Sequence, residues 1–163
     1  MKDFIALAAI FALFALGFYY ERKEKKRKEH EDWIHDCRHC LVKITHIFRR
    51  DCQSIAEKTF VQYTTIMQNG SYKHTPDHMT YYFLSNYQKE IDVLKEDYIE
   101  NVIKKLNETM GCTTITSIPN YLIEEYCKQL SDIYYSFCDF AYLMRRQITK
   151  ANENHINILS KGR

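Results

Sequence analysis

Between Phe18 and Asn69 the chain contains neither glycine nor proline, and its 163 residues hold only four Gly and two Pro. A chain with so few breakers has few places to turn, so it is expected to form long helices. From Ile34 the apolar side chains Cys37, Leu41, Ile44, Phe48, Cys52 and Ile55 recur mostly three or four apart, which is helical spacing. Phe60, Tyr63 and Met67 extend that stripe with a drift of face, and Asn69-Gly70 supplies a stop. After the polar connection Ser71–Thr75, Thr75-Pro76 signals a helix start, with Thr as N-cap and Pro at the first helical position. A second helix is predicted to about Thr109, with Met79, Phe83, Tyr87, Ile91, Leu94, Tyr98, Val102 and Leu106 on one face and Gly111 as its end. Residues 112–118, CTTITSI, are rich in β-branched side chains and read as a short strand or an extended linker. Pro119-Asn120 opens a third helix with Asn120 as N-cap. Its predicted stripe is Ile123, Cys127, Leu130, Tyr134, Phe137, Ala141, Met144 and Ile148, with fraying expected after Lys150.

The amino-terminal end constrains the setting. Phe4–Tyr20, FIALAAIFALFALGFYY, carries no charge, and ERKEKKRKEH follows it at residues 21–30 with six Lys or Arg against three Glu. Seventeen helical residues rise about 25 Å against a hydrocarbon core of about 30 Å. Tyr19 and Tyr20 at headgroup level, and the snorkelling stems of Arg22 and Lys23, close the difference. A cleaved signal peptide would place its positive charge ahead of the apolar run, and Lys2 is here offset by Asp3. A buried helix or one lying flat on the bilayer would show a polar face, which Phe4–Tyr20 lacks. The expectation is a single-pass anchor in the inner (cell) membrane. The positive-inside rule places the N-terminus outside and the rest in the cytoplasm. Ala8, Ala12, Ala15 and Gly17 are small enough for close helix packing, or are simply apolar filler.

Domain organisation follows: residues 1–30 as membrane helix and basic collar, residues 31–163 as a cytoplasmic helical domain. The fold class expected is all-α, a transmembrane helix continuing into a bundle of three long helices that completes its core as an oligomer. The whole chain carries +2, and the collar alone +3, so residues 31–163 carry −1. That balance argues against duplex nucleic acid and assigns the collar to anionic lipid headgroups. The six cysteines fall in a reducing compartment in this topology and read as small core side chains.

Chemistry-bearing patterns are few. His35-Asp36-Cys37-Arg38-His39-Cys40 has the residue types of a zinc site, but 100° per residue puts His35 and His39 on one helix face and the two Cys on another. Four ligands from one helix cannot surround an ion, so no metal is expected unless another helix or an oligomer partner completes a set around His35 and His39. There is no Gly-x-Ser-x-Gly, Walker loop, Gly-x-Gly-x-x-Gly or His-Glu-x-x-His, so the reading is non-enzymatic and without a cofactor. The ligand-binding candidates are Tyr72, Lys73, His74, His78 and Tyr82, at the start of the second helix. There a cation, imidazoles and aromatic rings meet a helix N-terminus, which favours an anion with stackable groups, although Asp77 opposes it. On turn chemistry alone the same stretch reads first as an ordinary polar turn with a helix cap. Arg49-Arg50 and Arg145-Arg146 with Lys150 are weaker cationic clusters.

In size and layout the chain resembles the small single-pass membrane effectors of type III CRISPR antiviral defence. The resemblance rests on Phe4–Tyr20, the Arg22–Lys28 collar and a compact domain over 31–163. It implies a homo-oligomer that binds a small cyclic nucleotide, a cyclic oligoadenylate, and then disturbs the bilayer. No motif of that family maps its ligand residues onto this chain. A membrane-tethered scaffold that recruits a protein partner through aromatic helix faces is the other class left open. The unbroken path from the apolar segment to Asn69-Gly70 favours the sensor, since a rigid helix can carry a rearrangement into a bilayer.

Overall fold

The computed structural model describes the backbone of residues 2–69 and 76–161; the side chains of residues 2–10, 12, 76, 151, 152 and 154–161 are outside that description. Four helices follow in order: α1 Lys2–Gln68, α2 Pro76–Glu100, α3 Val102–Met110 and α4 Asn120–Lys161. Among the described residues there is no strand, so the chain is all-α, as its shortage of breakers implies. It divides into two units, Met1–His39 and Cys40–Arg163.

The first unit is helical from Lys2. Its large apolar side chains from Phe11 to Tyr20 are all exposed, Phe11 at 68% and Phe18 at 70%. Among the described residues no helix is long and apolar enough to cross a membrane. The expected span Phe4–Tyr20 lies partly outside them, and the part from Phe11 is ten residues long where a span needs about 20.

The second unit is built from the rest of α1 with α2, α3 and α4. Phe48 meets Tyr98 with ring centroids 5.1 Å apart, and Tyr63 meets Phe83 edge to face at 5.5 Å. Residue numbers fall along α2 as they rise along α1, so the two are antiparallel. The Tyr87 hydroxyl donates to the Phe137 carbonyl at 3.2 Å, and the Tyr126 hydroxyl to the Tyr98 carbonyl at 2.9 Å, which runs α4 antiparallel to α2. Ile44, Phe48, Cys52, Tyr63, Tyr87, Ile91, Leu106, Leu122, Tyr126 and Leu130 are buried to within a few per cent. Burying five or six such side chains contributes on the order of 10 kcal/mol before chain entropy opposes it.

Several boundaries differ from expectation. The predicted second helix is interrupted at Asn101, between α2 and α3, where φ is −100° and ψ 22°. The hydrogen bonding barely breaks: Asn101 N–H donates to the Asp97 carbonyl and Lys105 N–H to the Asn101 carbonyl. Asn101 Nδ2 also donates to Asp97 Oδ1 at 2.8 Å, and such a local side-chain bond competes with regular helix geometry. Gly111 ends α3 as expected, at φ 65°, with Cys112 N–H bonded to the Asn107 carbonyl and Gly111 N–H to the Glu108 carbonyl. This 6→1 and 5→2 pair is a Schellman stop, which needs the left-handed region that glycine occupies freely.

Residues 112–118 form an extended linker, not a strand. Asn107 takes the place of a strand partner: its Nδ2 donates to the Ile115 carbonyl at 2.9 Å and its Oδ1 accepts from Ile115 N–H at 3.1 Å. Ile115 and Ile118 then bury their side chains. Helix α4 starts at Asn120 and continues past Lys150 to Lys161, because no glycine or proline intervenes before Gly162. Its early buried face is Leu122, Tyr126, Leu130 and Ile133, one residue away from the predicted Ile123–Cys127 stripe. Phe60, placed on the core stripe of α1 by its spacing, is 39% exposed, while Ala56 and Thr59 are buried instead.

Candidate functional site

Helix α2 begins at Pro76, whose fixed φ suits a first helical turn, and carries Asp77 in that turn. Of the candidate ligand residues, Tyr72, Lys73 and His74 lie outside the described residues. His78 and Tyr82 are four apart on α2, hence on one face, and both are exposed. The Tyr82 ring stands edge to face on Phe83 at 5.7 Å, and Phe83 does the same on Tyr63. Tyr82 is therefore positioned by the core although 55% of it is open.

Tyr82 lies at an open groove of about 680 Å³ between the end of α1 and the start of α2. Val61, Ile66 and Phe83 supply its apolar part; Gln62, Thr65 and Asn86 supply amide and hydroxyl groups; Lys89 and Glu90 are its charged members. The lining as described includes Tyr82 and not His78. The groove suits a planar, partly apolar group whose edges accept and donate hydrogen bonds. Its one lysine is matched by one glutamate, so the described lining carries no net charge for an anion. The residues from α1 were missed because Val61 and Gln62 look like outer-face positions. Only the antiparallel register of α1 and α2 brings them beside Tyr82.

The strongly perturbed groups sit elsewhere, on α1, α2 and α4. The Tyr98 hydroxyl donates to Asp51 Oδ2 at 2.7 Å; burial first, and then that bond to the carboxylate, push the phenol above its ordinary range. Lys105 Nζ lies 4.0 Å over the same ring and donates to Asp97 Oδ2 at 2.7 Å, a bond that holds the Asp97 carboxyl below its usual range. One level along, the Tyr134 hydroxyl donates to Asp92 Oδ1 at 2.8 Å, and Gln88 Nε2 donates to the same oxygen at 2.9 Å. Lys95 Nζ sits 4.3 Å over the Tyr134 ring. The bond to Asp92, and then burial, raise the Tyr134 phenol. Burial pushes the Cys52 thiol up to about 12 and also raises the phenols of Tyr87 and Tyr126. These pairs lock helix register. Raised phenols and a thiol of that pKa make poor nucleophiles near neutrality.

At the His/Cys cluster, His35 and His39 are exposed while Cys37 and Cys40 are buried, the division of faces that helical spacing implies. Among the described residues no group of three or more His, Cys, Asp or Glu is placed to hold a metal ion. Arg49 and Arg50 are exposed, the latter 3.9 Å from Asp51, and Arg145, Arg146 and Lys150 are exposed as well.

Comparison with family models, curated proteins and solved structures finds no match to this chain.

Proposed function

We propose that this protein is a single-pass membrane effector of antiviral defence. In this reading its helical domain binds a small cyclic nucleotide, a cyclic oligoadenylate, and passes the event to the bilayer. The observation that carries the tether is the apolar run Phe4–Tyr20, with Phe11, Leu13, Phe14, Leu16 and Phe18 between 52% and 70% exposed and a cationic segment directly after it. Such a run is costly in water at about 25 cal/mol per Å² and is satisfied by lipid. Support for a ligand with stackable groups comes from Tyr82, held by Phe83 over a groove with Gln62, Thr65 and Asn86. The cation for its phosphates would be Lys73, supplied with Tyr72 and His74 from the connection ahead of α2. Continuity of α1 from Lys2 to Gln68 supplies a helical path for a signal.

Two measurements test this. The full chain should resist extraction from membranes by alkaline carbonate; release into the supernatant overturns the tether. Calorimetric titration of the full chain in lipid nanodiscs with cyclic oligoadenylates should show binding at micromolar affinity or better, weakened at least tenfold by Lys73→Ala/His74→Ala and by Tyr82→Ala. Silence across all ring sizes overturns the sensor.

The scaffold reading has its own observation. Helix α4 exposes Tyr121, Tyr135 and Tyr142, fourteen and then seven residues apart, with Leu143 beside them at 52%. A scaffold predicts that one protein partner is recovered from cells and is lost with Tyr135→Ser/Tyr142→Ser, while cyclic nucleotides have no effect.

A further inference from the structure

The collar is not evenly charged around its helix. At 100° per residue, Arg22, Lys23, Lys26, His30 and Trp33 fall within one 100° sector, because they are related by steps of three, four and seven. All three cations of this sector are exposed, and none is in an ion pair among the described residues. No acidic residue lies within it. The other cations are spent on acids: Arg27 pairs with Glu24 and, at 3.7 Å, with Glu31, while Lys25 is 3.9 Å from Glu29, the acid nearest the sector. Lys28 sits in register with Glu24, Glu31 and Asp32. Residues 21–33 thus present three unpaired cations on one side, with Glu29 at its edge three residues from Lys26, and three cations against the acids on the rest.

We infer that Arg22, Lys23 and Lys26 form a one-sided binding face for the phosphates of anionic lipid headgroups, which turns the helix to a fixed azimuth at the bilayer surface. The inference rests on the membrane reading above. Its own support is charge complementarity and continuity with the apolar run. Arg22 and Lys23 lie about 3–5 Å along the axis past Tyr20, and Lys26 about 9 Å, within reach of a headgroup layer some 5–8 Å deep once the side chains extend. Cations at a membrane surface each contribute about fivefold to anionic-lipid affinity, so three unpaired ones reach on the order of a hundredfold at most. The paired cations contribute little, since their field is cancelled within one Debye length.

Trp33, the only tryptophan, stacks on His30 at 5.7 Å and so has a defined place on the same sector. Förster transfer from Trp33 to trace pyrene-labelled phosphatidylglycerol, compared with pyrene-labelled phosphatidylcholine, reads which lipid gathers at that face. The full chain is reconstituted in phosphatidylcholine vesicles. Wild type should prefer the anionic probe, and 1 M NaCl should abolish the preference. Arg22→Gln/Lys23→Gln/Lys26→Gln should lose the preference at least tenfold. Lys25→Gln/Arg27→Gln/Lys28→Gln, which removes the same formal charge, should lose less than twofold. Equal loss in the two triple variants, or no preference in wild type, overturns the inference. Carbonate extraction of the same vesicles separates the two ideas. An anchored chain without lipid preference sinks only the cationic face. A chain stripped from the vesicles sinks the tether, and the transfer ratio before stripping still decides the face.

Discussion

Replacing Tyr98 with Phe isolates one half-buried polar link between α1 and α2. The variant keeps the ring, and with it the 5.1 Å contact to Phe48 and the Lys105 ammonium 4.0 Å above it. It also keeps the backbone carbonyl that accepts from Tyr126. What disappears is the 2.7 Å bond from the phenol to Asp51 Oδ2. A hydrogen bond to a charged group contributes about 1.5–3 kcal/mol. The Asp51 side chain is 37% exposed, so water replaces part of the loss and the lower figure, about 1.5 kcal/mol, applies. For a domain of this size that is a fall in Tm of roughly 6 °C. Thermal melts of the full chain in mild detergent, followed by circular dichroism at neutral pH, read it directly. Alkaline pH supplies an independent check. The native phenol of Tyr98 holds its proton above the ordinary tyrosine range, so its contribution is complete below about pH 10 and is lost as pH rises toward the native value. Wild type should therefore lose stability above pH 10 faster than the variant, by about 1.4 kcal/mol per pH unit, and the gap between them should narrow. A Tm change under 1 °C at neutral pH would refute the assignment of that bond as a net stabiliser, and a gap that stays constant to pH 12 would refute the reading that burial and the bond together hold the phenol protonated.

Three further expectations follow from the same geometry. Asn107→Asp keeps the acceptor for Ile115 N–H but sets a carboxylate against the Ile115 carbonyl; it should cost about 1–3 kcal/mol and speed amide hydrogen exchange at Ile115 by tenfold or more, and unchanged exchange would refute the stapling role. Gly111→Ala should cost about 1 kcal/mol in urea melts, because nothing lies within 4 Å of the added carbon and only the left-handed backbone resists it; a loss above about 3 kcal/mol would contradict that. Under iodoacetamide at pH 8, mass spectrometry should find Cys52 the slowest of Cys52, Cys112, Cys127 and Cys138 to be labelled, since it is fully buried with a thiol near 12; labelling at the rate of half-buried Cys112 would show that the core opens there.

Much of the fold is legible in the residues alone. The α2–α3 stripe is buried at Phe83, Tyr87, Ile91, Tyr98, Val102 and Leu106, as its spacing predicts, and Gly111 ends it in the conformation that glycine favours. The face of α4 is not legible in the same way. Leu122–Tyr126 and Ile123–Cys127 are two helical stripes 100° apart, and hydrophobicity does not choose between them. The choice falls to Tyr126, whose hydroxyl finds the Tyr98 carbonyl when it turns inward. The interruption at Asn101 hides for a similar reason, since Asn and Asp four apart usually sit quietly on a helix surface. Of the candidate site, the exposed pair His78 and Tyr82 was visible as an aromatic helix start, whereas the groove beside Tyr82 needed residues from a second helix.

By itself the sequence determined the all-α class, the end of α3 and the uncharged run Phe4–Tyr20 with its cationic neighbour, because breakers, periodicity and charge act within a few residues along the chain. Only the tertiary structure decided which face of α4 is buried, which phenols meet carboxylates and what lines the groove at Tyr82. Those depend on residues some sixteen to fifty positions apart, and no local rule reaches that far.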